Sequence, residues 1–154
     1  MLEQISSIKE ELTLWRQRLW RQGEMIVAAD LERQGWQILE RNWYASRFGE
    51  IDIIAKDPAA MLVFVEVKAR LDQMEPGINQ AGFEAIGYAK QRKLMKSADH
   101  YLTNKRLWRT NYRFDVVVVN FEPADGLKWS DSQGLKNASL LHRYTIEHVK
   151  QAFP

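Results

Sequence analysis

The chain predicts an α/β fold, layers packed on a central mixed sheet, with the core order α-β-β-β-α-β. Three observations predict it. Strand-like runs cover residues 36–43, 49–55 and 61–67; a helical stretch follows over about residues 83–103; and another buried-strand run, FDVVVVNF, covers residues 114–121. Strands that precede and follow a helix in this order pack as layers around one sheet. At 154 residues the chain is one domain of ordinary size, long enough to bury a core.

The elements follow in order. Ile5, Ile8, Leu12, Trp15 and Leu19 step by 3, 4, 3 and 4 along a first helix, an a/d seam. The seam either packs on its own domain or makes a homodimer contact. Gly23 punctuates the chain, so residues 1–22 read as an N-terminal helical extension and residues 23–154 as the domain itself. A second helix is expected from Glu24 to about Gln34, stopped by Gly35. A strand over residues 36–43 and a turn over 44–48 come next. In the strand over 49–55, alternation sets Ile51 and Ile53 on one face and Glu50, Asp52 and Ile54 on the other. Asp57–Pro58 signals a turn. MLVFVEV, residues 61–67, is apolar on both faces and reads as a central strand. After a loop with Pro76 and Gly77, the helix over 83–103 carries Ile86, Leu94, Ala98 and Leu102 in its core stripe. Residues 125–139 are polar and read as a loop or irregular hairpin. Residues 143–146 are expected as an edge strand, followed by a short helix to Phe153.

Composition narrows the function classes. Hydrophobic residues are 45% and charged residues 27%, the globular class. Without cysteine there is no disulfide, thiolate zinc site or cysteine nucleophile. No apolar run approaches the roughly 20 residues that span a membrane, and the charged N-terminus lacks a signal-peptide core. The expectation is a cytoplasmic protein without a membrane partner. Net charge is only +2, yet eight Lys or Arg and a single acid, Asp99, lie between Lys90 and Arg113. Such a stripe suits nucleic acid, or is simply a solvated helix face. No glycine-rich phosphate loop supports NTP hydrolysis.

The chemistry lies in the anomaly of MLVFVEVKAR. A strand covered on both faces has no place for isolated charges, yet it carries Glu66 and Lys68, two apart and on one face. Asp52 and Glu50 share a face of the preceding strand. A hairpin turning near residues 57–60 brings Asp52 close to Glu66. Clustered carboxylates repel one another unless a cation joins them, and Mg²⁺ takes one or two carboxylates with water and phosphate. The plainer alternative is a buried Glu66–Lys68 or Asp52–Lys68 ion pair.

At these residues the chain resembles a family. GEIDIIA at 49–55, VFVEVKAR at 63–70, RFDVV at 113–117, RNW at 41–43 and EHVKQAF at 147–153 are similar to ordered blocks of the YraN family (uncharacterised protein family 0102). That family resembles the PD-(D/E)xK superfamily, including archaeal Holliday-junction resolvases. The resemblance implies a restriction-endonuclease-like α/β/α sandwich and a Mg²⁺-dependent nuclease, with Mn²⁺ as a substitute, acting on DNA rather than RNA. By position it implies catalytic roles for Asp52, Glu66 and Lys68. It also implies a metal site of Asp52 and Glu66 that Glu24 completes, directly or through water, with the Val67 carbonyl. The chain departs from the family pattern at Val27, where a small residue is usual, and in the longer segments before Gly23 and around 125–139. A module that binds nucleic acid without cutting it is the alternative, and a protein that interacts through the N-terminal seam is a second.

Supporting residues have two readings each. Lys90 falls on the core line of its helix, either snorkelling or reaching a phosphate. Arg70 shares the Lys68 face and is a phosphate contact if the strand persists. Lys93 and Lys96 add sequence-independent affinity from the surface. Trp43, Tyr44, Arg47 and Phe48 either stack on bases or anchor the loop. His100, His142 and His148 lack metal-ligand spacing, and Asp115 beside Arg113 reads as a structural pair.

Overall fold

The computed structural model describes residues 1–71, 86–122 and 143–154, without the side chains of Ile5, Ile8, Leu12 and Leu71. The expected loop at Pro76 and Gly77, the start of the helix expected from 83 and the polar stretch 125–139 lie outside these residues.

A single helix, α1 (Leu2–Arg33), stands where two were expected on either side of Gly23. Glycine costs a helix about 1 kcal/mol against alanine, too little to break one that is packed along its length. Here the missing side chain has a use. A Cβ on Gly23 would stand 3.3 Å from the Ala69 Cβ, so glycine lets the helix approach the sheet closely. Gly35 does end the helix as expected. At φ +85° it adopts the left-handed conformation, its N–H bonds the Glu32 carbonyl and the Trp36 N–H bonds the Leu31 carbonyl, both at 3.0 Å. Those paired bonds are a Schellman cap, completed by burial of Leu31 and Trp36 in one cluster.

Beside a short 3-10 turn at Ser46–Phe48, the remaining elements among the described residues are the helix α2 (Tyr88–Asn104) and the strands β1 (Gln37–Tyr44), β2 (Glu50–Lys56), β3 (Leu62–Leu71), β4 (Tyr112–Glu122) and β5 (Arg143–Phe153). They form one five-stranded mixed sheet in the order β1-β2-β3-β4-β5. Only β3 and β4 are parallel, as the crossover through α2 allows. The β2–β3 turn is built by Asp57, whose Oδ1 accepts the N–H groups of Ala59 and Met61, each at 2.9 Å.

The apolar runs are buried twice over because each sheet face carries a helix. Val63, Val65, Val67, Val117, Val119 and Phe121 pack with Leu19, Val27 and Leu31 of α1. Leu62, Phe64, Phe114, Val116 and Val118 pack with Leu94, Ala98, Tyr101 and Leu102 of α2. The chain is an α/β/α sandwich, and among the described residues no helix is long and apolar enough to cross a membrane.

Two expectations are corrected. The C-terminal segment is not a short strand and a helix: β5 runs unbroken to Phe153 and pairs with β4 from Glu122–Arg143 to Phe114–Phe153. Stacking of Phe153 on Phe114, with centroids 4.7 Å apart, holds its end. Ile51 and Ile53 do not share a face either, since Ile53 joins the α1 cluster and Ile51 the α2 cluster. At the amino-terminal end, Trp15 and Leu19 of the seam pack on the domain's own core.

Candidate functional site

The site forms where β2 parts from β3. Pairing of β2 with β3 ends at Ile53–Val65, while pairing of β2 with β1 continues to Glu50–Tyr44. Beyond Ile53 the second strand leaves the third, and a side chain takes over from the ladder: the Val67 N–H donates to Asp52 Oδ2 at 2.7 Å. The Val67 carbonyl accepts the Trp20 indole N–H at 3.3 Å.

Into this gap β3 delivers Glu66. Asp52 and Glu66 are 8% and 4% exposed, so both carboxylates are nearly withdrawn from water. Glu66 Oε1 pairs with the Lys90 ammonium at 3.3 Å, and Oε2 is buried without a hydrogen-bond partner. Lys90 thus reaches from α2 to a carboxylate of the sheet. Its half-exposed side chain supplies the positive charge that a buried carboxylate requires. Above the pair opens a cavity of about 790 Å³, walled by Gln17, Trp20, Arg21, Glu24 and Met25 of α1 and by Arg41 and Asn42 of β1. Asn42 sits at φ 48°, a conformation asparagine tolerates better than most residues.

Electrostatics follow from this crowding. Burial is the main cause that pushes the Asp52 carboxyl from its ordinary 3.8 up to about 8, and the neighbouring Glu66 charge adds to it; the Val67 N–H works the other way. Glu24 is also raised, by burial first and then by Glu50 and Glu66, with Asn42 and Arg41 opposing. A consequence is expected for the metal-free protein. Between about 4 and about 8 the folded state keeps a proton on Asp52 that the unfolded chain has lost. Stability should therefore fall as pH rises through that window. Asp52→Asn removes this dependence, and denaturant midpoints near the two ends of the window measure it. An equal slope in wild type and variant would contradict the burial of this carboxyl.

A buried Asp52 carboxyl raised to about 8, beside a Glu66 carboxylate oxygen without a partner, suits a hard cation. Among the described residues no three acidic or imidazole side chains converge as a complete ligand set. The arrangement thus fits two side-chain ligands supplemented by main chain and water, with Glu24 at one remove on the cavity wall.

Asp52, Glu66, Glu24 and Lys90 are brought together around one cavity. Lys68 and Arg70 continue β3 beyond it, both half-buried, and the Arg70 Nε is buried without a partner. Lys93 lies exposed on α2, three residues from Lys90. Trp43 is an anchor rather than a base platform, packed edge-on against Tyr101 at 5.2 Å and beside His100. Apart from Glu24, the wall that α1 gives the cavity was not expected. Gln17, Trp20, Arg21 and Glu24 lie at i, i+3, i+4 and i+7, one helix face, a signal hidden by the expected break at Gly23.

A second polar cluster is structural. Asp115, 0% exposed, accepts from Arg113 Nε at 2.9 Å and from the Gln151 N–H at 2.9 Å, and meets His148 Nε2 at 2.8 Å. Arg113 also reaches Asp57 Oδ2 at 2.7 Å, and its guanidinium lies over Trp36. Burial acts to raise the Asp115 carboxyl, but the bonds from His148, Arg113 and Gln151 outweigh it and hold the group below its usual range.

Fold and site together define a two-faced α/β/α domain with a recessed carboxylate pair where two strands part. Residues 23–119 match the Uncharacterised protein family UPF0102. A UPF0102 protein of Chlorobium chlorochromatii is 42% identical over 137 residues, covering 88% of this chain and 90% of that one. One from Syntrophus aciditrophicus is 48% identical over 101 residues, 66% and 75% of the two chains. Another, from Syntrophotalea carbinolica, is 45% identical over 108 residues, 70% and 83%. The chain belongs to family UPF0102.

Proposed function

We propose that this protein is a Mg²⁺-dependent nuclease of the PD-(D/E)xK kind that hydrolyses phosphodiester bonds in DNA and selects structured substrates. The observation that carries the reading is the buried, unpartnered Oε2 of Glu66 beside an Asp52 carboxyl displaced far above its ordinary range. A purely structural ion pair leaves no oxygen unsatisfied and has no use for a cavity above it.

Asp52 and Glu66 would hold Mg²⁺, or Mn²⁺ in its place, with the Val67 carbonyl available and Glu24 reached through water. Bound there, the ion would supply neutralisation of the phosphodiester charge and a more acidic water. The chain's own residues do the rest. Lys68, on the Glu66 face of β3, orients the attacking water and offsets charge that develops on the phosphorus oxygens. Lys90 and Arg70 hold backbone phosphates close to the carboxylates. Lys93 adds affinity that is independent of sequence and falls with salt. A junction offers two symmetric cuts, so a homodimer is the form expected to act on one; a constant monomer mass on sedimentation with junction DNA removes that partner.

The test is an assay of junction, flap and single-stranded DNA with Mg²⁺, with Mn²⁺ and with EDTA. Cleavage in the two metals that EDTA stops is the expected result. Binding with a steep salt dependence but no cleavage in either metal would establish a nucleic-acid-binding module in place of an enzyme.

A further inference from the structure

The wall of α1 facing the carboxylates carries an aromatic side chain in an unusual state. Trp20 is 51% exposed, although it lines the cavity and its indole N–H is anchored on the Val67 carbonyl at 3.3 Å. That N–H is the only hydrogen-bonding group of the side chain. Once it is engaged, the ring is fixed in place and has only its π surface to offer a ligand. The cavity floor is ionic, with Asp52, Glu66 and Lys90, and its rim carries the exposed Arg21 and Arg41. An apolar ligand does not suit such a chamber. A ligand with a flat heteroaromatic part and an anionic part does, the first on Trp20 and the second over the floor.

Depth narrows the choice further. The carboxylates are 8% and 4% exposed, so a reacting phosphate has to enter the cavity rather than lie across a surface. About 790 Å³ is within the range of small-ligand pockets, roughly 300–1,000 Å³, and suits one or two nucleotides. Bases inside a duplex have their faces covered by their neighbours, whereas a stacking side chain needs an uncovered one. We infer that Trp20 is a stacking platform for an unpaired base, which makes the substrate of this site a single-stranded segment of nucleic acid, such as a flap or an unpaired end. The inference rests on the nuclease reading of the same cavity. It assigns a specificity role to a residue that precedes the family-matched segment 23–119, and it gives the long helix α1 a part in the site.

The experiment uses the full chain carrying Lys68→Ala, in Mg²⁺, so that nucleic acid is bound while cleavage is slowed. Fluorescence anisotropy compares a labelled single-stranded oligothymidylate with a duplex of equal length. Tighter binding of the single strand is expected, together with a loss of about tenfold or more on adding Trp20→Ala. Trp20→Phe keeps the ring and loses only the N–H, so it should retain most of the single-strand affinity. Duplex binding should be unmoved by either change. Single-strand affinity that is unchanged in Trp20→Ala, or a loss equal for single strand and duplex, overturns the platform while leaving the nuclease reading standing. Failure of the Lys68→Ala protein to bind any nucleic acid overturns the reading of the site, and the platform with it.

Discussion

Replacing Glu66 by alanine is expected to abolish metal-dependent cleavage while leaving the fold intact. The two halves of this result have one cause. In the metal-free protein Glu66 is a liability, with a buried oxygen that nothing satisfies and a charge that helps to hold Asp52 protonated. Its removal relieves both, and the half-exposed Lys90 loses little when its partner goes. The denaturant midpoint near pH 8 should therefore equal or exceed that of wild type, as is usual where a functional site is held against its own repulsion. Lys68→Ala separates the roles further. It should lower the cleavage rate by about 10²–10³-fold, the loss typical of one electrostatic stabiliser, and leave metal binding in place. If Lys68→Ala cut DNA as well as wild type, the catalytic assignment would be wrong.

Arg113→Ala is expected to cost more stability than any substitution at the cavity. It strips the cation from two carboxylates at once, Asp57 and the fully buried Asp115. Removing one partner of a buried pair typically costs about 3–5 kcal/mol, and because His148 and the Gln151 N–H stay on Asp115 the loss should lie toward the lower figure. The Tm should fall by many degrees and cleavage should fall only with the folded fraction. The pH dependence has a definite sign. Asp115 is depressed in the folded state, so its stabilisation is present above its ordinary value and is lost as pH drops through the folded one. Without Arg113 that depression shrinks, and acid unfolding should begin at a higher pH than in wild type. An unchanged Tm would show that the network contributes nothing.

What could be read from the chain depended on whether the cause was local. The approach of Asp52 to Glu66 was legible because the turn signal at Asp57–Pro58 is local and sets the hairpin register, which runs up to Ile53–Val65 beside them. The departure of β2 from β3 was not, since it depends on a carboxylate bonding a backbone N–H fifteen residues away. At Gly23 a generic breaker signal lost to a packing demand set by Ala69. The EHVKQAF segment is made largely of good helix formers, yet pairing along β4 and the ring of Phe114 hold it extended. Lys90 was marked as out of place by the apolar stripe around it, but its partner Glu66 is on another element and could be found only in the fold. Trp20 fell within the N-terminal helical extension and was given no role, although its spacing to Glu24 is about one helical turn.

Asp52 and Glu66 are proposed to form a divalent-cation site. Titration calorimetry of Mg²⁺ into the metal-free full chain near pH 8 tests it most directly. The site predicts saturable binding by wild type, with proton release because Asp52 must ionise to take the ion. It predicts none by Glu66→Ala. No saturable binding of Mg²⁺ or Mn²⁺ by wild type, or equal binding by the variant, would contradict it.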